Sequence, residues 1–291
     1  MRRLIINADD FGLTPGINRA ILEGHERGVI SSATLMANGK AFDDAVKLAR
    51  SVPTLSVGCH VVLTDGVPVL GASQIPTLVE GQPRPQFRES FRRFATAAIT
   101  GRLDSDQIEA EATAQISKLR AAGIAVSHFD THKHTHLFPQ VLRPLLRAAE
   151  ACGVRAVRNL FGPVRFGTVA NRPKLWKRYS QMKLLCGLGG RFRGVIEKAG
   201  LKTPDGTLGI VGTGTLDIHL FQSIMQDLPH GTWEFVCHPG YNDADLQLVN
   251  TRLREARAEE LRTVTSPAAR ELLAANGIEL ISYHDFASSE G

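Results

Sequence analysis

Cysteine is scarce in this 291-residue chain: Cys59, Cys152, Cys186 and Cys237 are the full set, and no two of them are spaced C-x-x-C. That pattern supports neither a zinc knuckle nor a disulfide framework, and it fits a reduced, cytoplasmic compartment. Long hydrophobic runs are also missing. None approaches the roughly 18 apolar residues of a membrane span. The run after Arg2 and Arg3 stops at Ile6, far short of a secretory h-region, so no signal peptide is expected. No G-x-G-x-x-G follows that run and no Walker A lysine motif occurs, which argues against the common nucleotide-binding folds. Net charge is only +5, and the excess is local. Nine Lys or Arg lie between Arg172 and Lys202 against one acid, Glu197, so the remainder of the chain is net acidic. A nucleic-acid surface would spread its charge more widely, and nucleic acid is not expected as a partner.

What is present is a hydrophobic content of 43%, ample for one large core. Strand-like and helix-like segments alternate throughout. Leu4–Asn7, Ala33–Ala37, Leu55–His60, Ile124–Asp130, Val154–Val157, Leu208–Val211, Trp233–Cys237 and Ile278–Ile281 read as strands. Between them, segments such as Pro15–Arg27, Ala41–Arg50, Gln107–Ala122, Pro139–Ala151 and Leu216–Leu228 carry helical spacing. Seven to eight β–α units predict an α/β, TIM-barrel-like (β/α)7–8 barrel, with room for distortion, forming a single domain over 1–291. Two stretches, about 61–103 and 159–204, break the alternation and read as insertions over the C-terminal face of the strands.

Several strand ends carry chemistry. The first runs into Asp9-Asp10, the third ends in His60, the fourth leads through Asp130 into His132, and Cys237 is followed by His238-Pro239-Gly240. In a parallel α/β sheet these carboxyl ends converge on one face, where ligands bind. Two adjacent ionised carboxylates repel unless a cation lies between them or their pKa values split. One carboxylate and two imidazoles can hold a divalent ion with positions left for water and substrate. A second carboxylate can then act as base and a histidine as acid. Blander readings exist for each residue taken alone: a turn with an Asp N-cap, a core histidine at 60, a turn residue at 238, a surface histidine run at 132, 134 and 136. If the strand continued past Asp130, alternation would put Asp130, His132, His134 and His136 on one face. His25, His128, His219, His230 and His284 fall outside the pattern and read as structural.

Asn7-Ala8-Asp9-Asp10-Phe11-Gly12, Gly58-x-His60, Asp130-x-His132-x-His134-x-His136 and Cys237-His238-Pro239-Gly240 together resemble the YdjC-like carbohydrate deacetylases, in order and over most of the chain. That family includes chito-oligosaccharide deacetylases and a branch associated with hopanoid lipids. The resemblance implies removal of N-acetyl groups from amino sugars with one divalent ion: magnesium, zinc, manganese or cobalt. By motif position it implies Asp10, His60 and His132 as metal ligands and Asp9 as base. His238 as general acid rests partly on analogy with other metal-dependent polysaccharide deacetylases. Asp130 and His134 are placed behind the ligands or against the substrate. A metal-dependent phosphoesterase, another hydrolase, or a non-catalytic glycan-binding module are the alternatives.

Residues 173–188 place Leu175, Trp176, Tyr179, Met182 and Cys186 on one side of a helix, flanked by Lys174, Lys177, Arg178 and Lys183. Such a face suits either a cap packed on the barrel or a segment resting on an anionic membrane. The second reading implies peripheral contact with the inner membrane face and a lipid-linked sugar such as a hopanoid glycoside. A homodimer remains open.

Overall fold

The first apolar run sets the architecture. In the computed structural model, which describes residues 1–289 except Gln82 and Val164, β1 spans Arg2–Phe11 and is buried from Leu4 onward. Gln82 and Val164 fall inside the two expected insertions and, with Glu290 and Gly291, lie outside the described residues. Leu4, Ile6 and Ala8 join the large apolar cluster between sheet and helices, while Ile5 belongs to a small separate cluster with Ala156 and Tyr283. A strand enclosed on both faces needs such a run, and only a parallel sheet wrapped by helices encloses it so.

The remaining strands are β2 (Ser32–Leu35), β3 (Ser56–Val61), β4 (Val79–Glu80), β5 (Gln86–Phe87), β6 (His128–Thr131), β7 (Ala156–Val157), β8 (Gly206–Leu208), β9 (Gly231–Cys237) and β10 (Ile278–Leu280). β4 and β5 form a small antiparallel ribbon inside the first insertion. The others are all parallel, in the order β7-β6-β3-β2-β1-β9-β8 with β10 beside β1. The outer members β7 and β8 meet through the segment that links them. Val157 N–H donates to Lys202 O at 3.0 Å and the Thr207 hydroxyl donates to Asn159 O at 2.6 Å. The sheet therefore curls into the TIM-barrel-like form that the β–α alternation predicts.

The interior of the curl is polar: Ser32, Thr34, Ser56, His60, His128, Asp130, Arg158 and Glu234 are all buried. The apolar core lies outside, between strands and helices. The glycine of Gly58-x-His60 has a packing reason, since a Cβ there would lie 2.5 Å from ring atoms of His128. β10 pairs with Arg2–Leu4 of β1, and β2 takes over that edge from Asn7. The C-terminal helix Tyr283–Ser288 thus sits at the end of the barrel opposite Asp9 and Asp10.

Several boundaries differ from the sequence reading. The fourth expected strand begins at His128 (β6), not Ile124, and the sixth, expected over Leu208–Val211, is strand over Gly206–Leu208 (β8), turning at Gly209 (φ +91°) into a short 3-10 turn. The second insertion holds the helices Phe166–Val169, Pro173–Cys186 and Gly189–Lys198. Leu175 is buried, and Tyr179, Met182, Leu185 and Cys186 are half-buried against the barrel. Much of the apolar face expected over 173–188 is thus used as a cap. Trp176 is the exception, at 45% exposure, although its indole N–H donates to Val169 O.

Candidate active site

The two adjacent acids do not end the first strand; β1 runs through them to Phe11, and its pairing with β2 slips between Ala8 and Phe11. Asp10 takes φ +68°, in the left-handed region. In regular strand geometry Asp9 and Asp10 would point to opposite faces. The bulge brings both carboxylates to one end of the barrel, each within reach of His60. Gly12 (φ +90°) completes the turn, and a Cβ there would press to 2.9 Å from Leu35.

His60 and Asp130 are register partners across β3 and β6, which sets Nδ1 of His60 2.6 Å from Oδ1 of Asp130. That contact leaves Nε2 facing Asp10 Oδ1 at 3.6 Å. His132 Nδ1 reaches the same oxygen at 3.4 Å. Arg257 holds the other oxygen, Oδ2, of Asp10. The donor atoms of Asp10, His60 and His132 lie within 4.8 Å of one another. A carboxylate oxygen and two imidazole nitrogens, with one imidazole oriented by a carboxylate behind it, fit a divalent ion. Burial opposes charge on His60, but Asp130, Asp9 and Asp10 outweigh it and raise its pKa to about 9. An ion at Nε2 has to displace one proton, while Asp130 keeps the other on Nδ1.

Asp9 is built differently. Arg158 grips it with two donors, at 2.8 and 2.6 Å, and also reaches Asp130 at 2.5 Å and Glu234 at 2.7 Å. Burial works to neutralise Asp9, but Arg158 prevails and holds it well below the usual carboxylate range. Asp9 is therefore ionised at any ordinary pH. His238 Nε2 lies 3.7 Å from Asp9 Oδ2, and its Nδ1 lies 3.7 Å from Glu260 Oε2. Burial disfavours the imidazolium, yet Glu260, Asp9 and Asp10 raise the His238 pKa overall. Gly240 serves this arrangement by omission, since a Cβ there would meet the Arg257 side chain at 2.9 Å.

The histidine run does not continue the strand. After Thr131 the chain turns into a 3-10 segment, His132–Leu137, with Lys133 at φ 54° and His134 at φ 56°. The expected single face of Asp130, His132, His134 and His136 is lost, because two left-handed residues reset the direction of each side chain. His136 turns inward to Thr131, 2.6 Å from Nδ1 to the hydroxyl oxygen. His134 Nδ1 is enclosed without a partner, and burial, with Arg158 next, lowers its pKa to about 3, so its ring is neutral. Lys133 is anchored to Asp65 at 2.7 Å. Among the described residues, the non-glycine positions with positive φ are Asp10, Asp65, Lys133 and His134, so backbone strain gathers at this rim.

Four members of the site escaped the sequence reading: Arg158 after β7, Glu234 inside β9, and Arg257 and Glu260 one turn apart on the helix Glu255–Thr265. Glu234 left a trace, as a lone acid in the apolar text Trp233-Glu234-Phe235-Val236. Arg257 and Glu260 left none, because Glu255-Ala256-Arg257-Ala258-Glu259-Glu260 reads as a solvated helix face.

The family described as YdjC-like protein matches residues 3–275. A carbohydrate deacetylase of Brevibacillus brevis is 32% identical over 284 residues, covering 97% of this chain and 99% of that protein. One from Geobacillus stearothermophilus is 32% identical over 288 residues, covering 98% of each. A crystal structure from Enterococcus faecalis, described as a candidate for cellobiose-phosphate cleavage, superposes with a TM-score of 0.79 at 26% identity and 98% coverage of both chains. The family match takes in every residue of the site and every strand of the sheet but β10, and with the near full-length relatives it shows that the chain belongs to the YdjC-like family.

Proposed function

We propose that this chain is a metal-dependent hydrolase that removes the N-acetyl group from an N-acetylglucosamine-type sugar. The observation that carries the reading is the cluster of Asp10, His60 and His132 beside an arginine-held Asp9, in a chain whose relatives are named carbohydrate deacetylases. A divalent ion held there, whether magnesium, zinc, manganese or cobalt, would polarise the acetamide carbonyl and make water beside it more acidic. Asp9, fixed and ionised by Arg158, accepts the water proton as water attacks the carbonyl. The same clamp weakens Asp9 as a base, so the step depends on a water that the ion has made more acidic. His238, whose pKa Glu260 helps raise, delivers a proton to the amide nitrogen as the C–N bond breaks, giving acetate and a free amine. Asp130 fixes the tautomer of His60. His134, with its neutral ring and enclosed Nδ1, stands behind the ligands.

Two results separate these roles. Asp9→Asn is expected to keep ion binding and lose turnover by about 10²- to 10⁴-fold; calorimetric ion titration alongside acetate assay checks it, and near-normal turnover removes the base assignment. Glu260→Gln addresses the acid. A protonated His238 is required, so activity falls as pH rises through its pKa, which Glu260 helps raise. The variant is expected to move the alkaline limb of the kcat profile to lower pH, and an unmoved limb would take His238 out of the reaction.

The substrate is a chito-oligosaccharide or a lipid-linked glycan such as a hopanoid glycoside. Among the described residues no helix is long and apolar enough to cross a membrane. Trp176, Leu184 and Leu188 are nonetheless exposed beside Lys174, Lys177 and Lys183, which supports peripheral contact at the cytoplasmic face of the membrane. The deciding assay measures acetate and amine release from chitobiose and from N-acetylglucosamine-bearing lipids in anionic vesicles, with and without chelator. A second reading is phosphoesterase action, since the Enterococcus faecalis structure is described by cleavage of a phosphorylated disaccharide, with the bond unstated. Phosphate release from a phosphorylated disaccharide, without acetate release from either amide substrate, would replace the first reading with the second.

A further inference from the structure

The far end of the barrel from the metal-ligand cluster carries a second polar assembly with no part in the reaction described above. Tyr283, the first residue of the C-terminal helix, is fully buried. Its ring stacks on His128 at 3.6 Å between centroids, with the planes 10° apart. Its phenol donates to Glu234 Oε2 at 2.6 Å. The helix is fixed at this place: Tyr283 N–H donates to the Ser32 hydroxyl oxygen at 2.9 Å, His284 N–H donates to that of Ser56 at 3.0 Å, and Ser282 and Asp285 form a capping box.

Glu234 passes the constraint upward. Its Oε1 accepts from Arg158 Nε at 2.8 Å, and its Oε2 lies 3.1 Å from the Thr207 hydroxyl oxygen. The other nitrogens of the guanidinium grip Asp9. Tyr283, Glu234 and Arg158 show no solvent exposure, so water offers no substitute partner along the way. A guanidinium with five donors in a rigid plane is oriented by whichever acids hold its two ends. Here one end is held by Asp9 and Asp130, and the other by a carboxylate that Tyr283 pins.

We infer that Tyr283 is a positioning residue for the base, acting through Glu234 and Arg158 to fix the aim of Asp9 from the opposite end of the barrel. The inference rests on the proposed role of Asp9. A base displaced by a fraction of an ångström from its proton loses rate without losing affinity for substrate, because binding contacts lie elsewhere.

The test uses the full chain. Tyr283→Phe keeps the ring on His128 and removes only the phenol. The expected result is a fall in kcat of about fivefold to tenfold, with KM and ion affinity unchanged within about twofold. Combining it with Glu234→Gln should give a kcat loss smaller than the product of the two single losses, as for members of one relay. If Tyr283→Phe lowers the melting temperature but leaves kcat within twofold of the wild type at a temperature where both are folded, Tyr283 only plugs the barrel and the inference is overturned. Independent, multiplicative losses overturn it as well. A wild-type chain without acetate release points instead to failure of the deacetylase reading, which the same assay records separately.

Discussion

Asp10→Ala is expected to lose the divalent ion and turnover together, with kcat/KM falling on the order of 10³-fold or more. Asp10 supplies the oxygen that both His60 and His132 face, at 3.6 and 3.4 Å, whereas Asp9 and Asp130, the other acids near His60, are engaged by Arg158. The substitution also leaves Arg257 without its carboxylate in a buried setting. Asp10→Asn is the cleaner companion, since it keeps the shape and can still accept from Arg257. Ion content by elemental analysis and acetate release should drop in parallel in both variants. A variant that retains stoichiometric ion at wild-type affinity would show that the cluster of Asp10, His60 and His132 is not where the ion binds.

Arg158→Met is expected to be the most destabilising single substitution at the site. The guanidinium lies between Asp9, Asp130 and Glu234, all essentially without solvent exposure. Removing it leaves three carboxylates facing one another in a low-dielectric interior. Breaking a buried ion pair by deleting one partner costs about 3–5 kcal/mol. For a chain of this size each kcal/mol moves Tm by about 2–4 °C, so a fall of roughly 10 °C is expected by calorimetry. Arg158→Lys keeps a charge but not the fork, and should recover part of the stability with little of the activity. A Tm within about 2 °C of the wild type for Arg158→Met would mean that the three acids are neutralised another way, and the picture of an arginine-held base would have to be abandoned.

The alternation of apolar strands with amphipathic helices made the barrel legible, because each signal is local and repeats. The convergence of Asp9, Asp10, His60, Asp130, His132 and His238 was legible for a related reason: parallel strands carry whatever ends them to one face. The turn at Lys133 and His134 was not. Nothing in Thr131-His132-Lys133-His134 marks two left-handed residues, which are fixed by tertiary contacts such as Lys133 to Asp65. The bulge at Asp10 was hidden likewise, since an aspartate there looks no different from one in a regular strand. Arg257 and Glu260 were invisible because a helix rich in charge reads as solvated until its neighbours are known. The cap over 173–188 shows the converse. An amphipathic pattern gives the direction of burial but not the partner, and here much of it is the barrel itself.

The partners of the two aspartates come from very distant text: Arg158 is 149 positions from Asp9, and Arg257 is 247 positions from Asp10. A ribosome must therefore release residue 158 before Asp9 is matched and residue 257 before Asp10 is. Closing loops of that size slows folding, and until then a nascent chain carries its charges uncompensated near its beginning. Products of interrupted synthesis that stop short of residue 257 should accordingly be inactive and readily degraded, since Asp10 is then never matched.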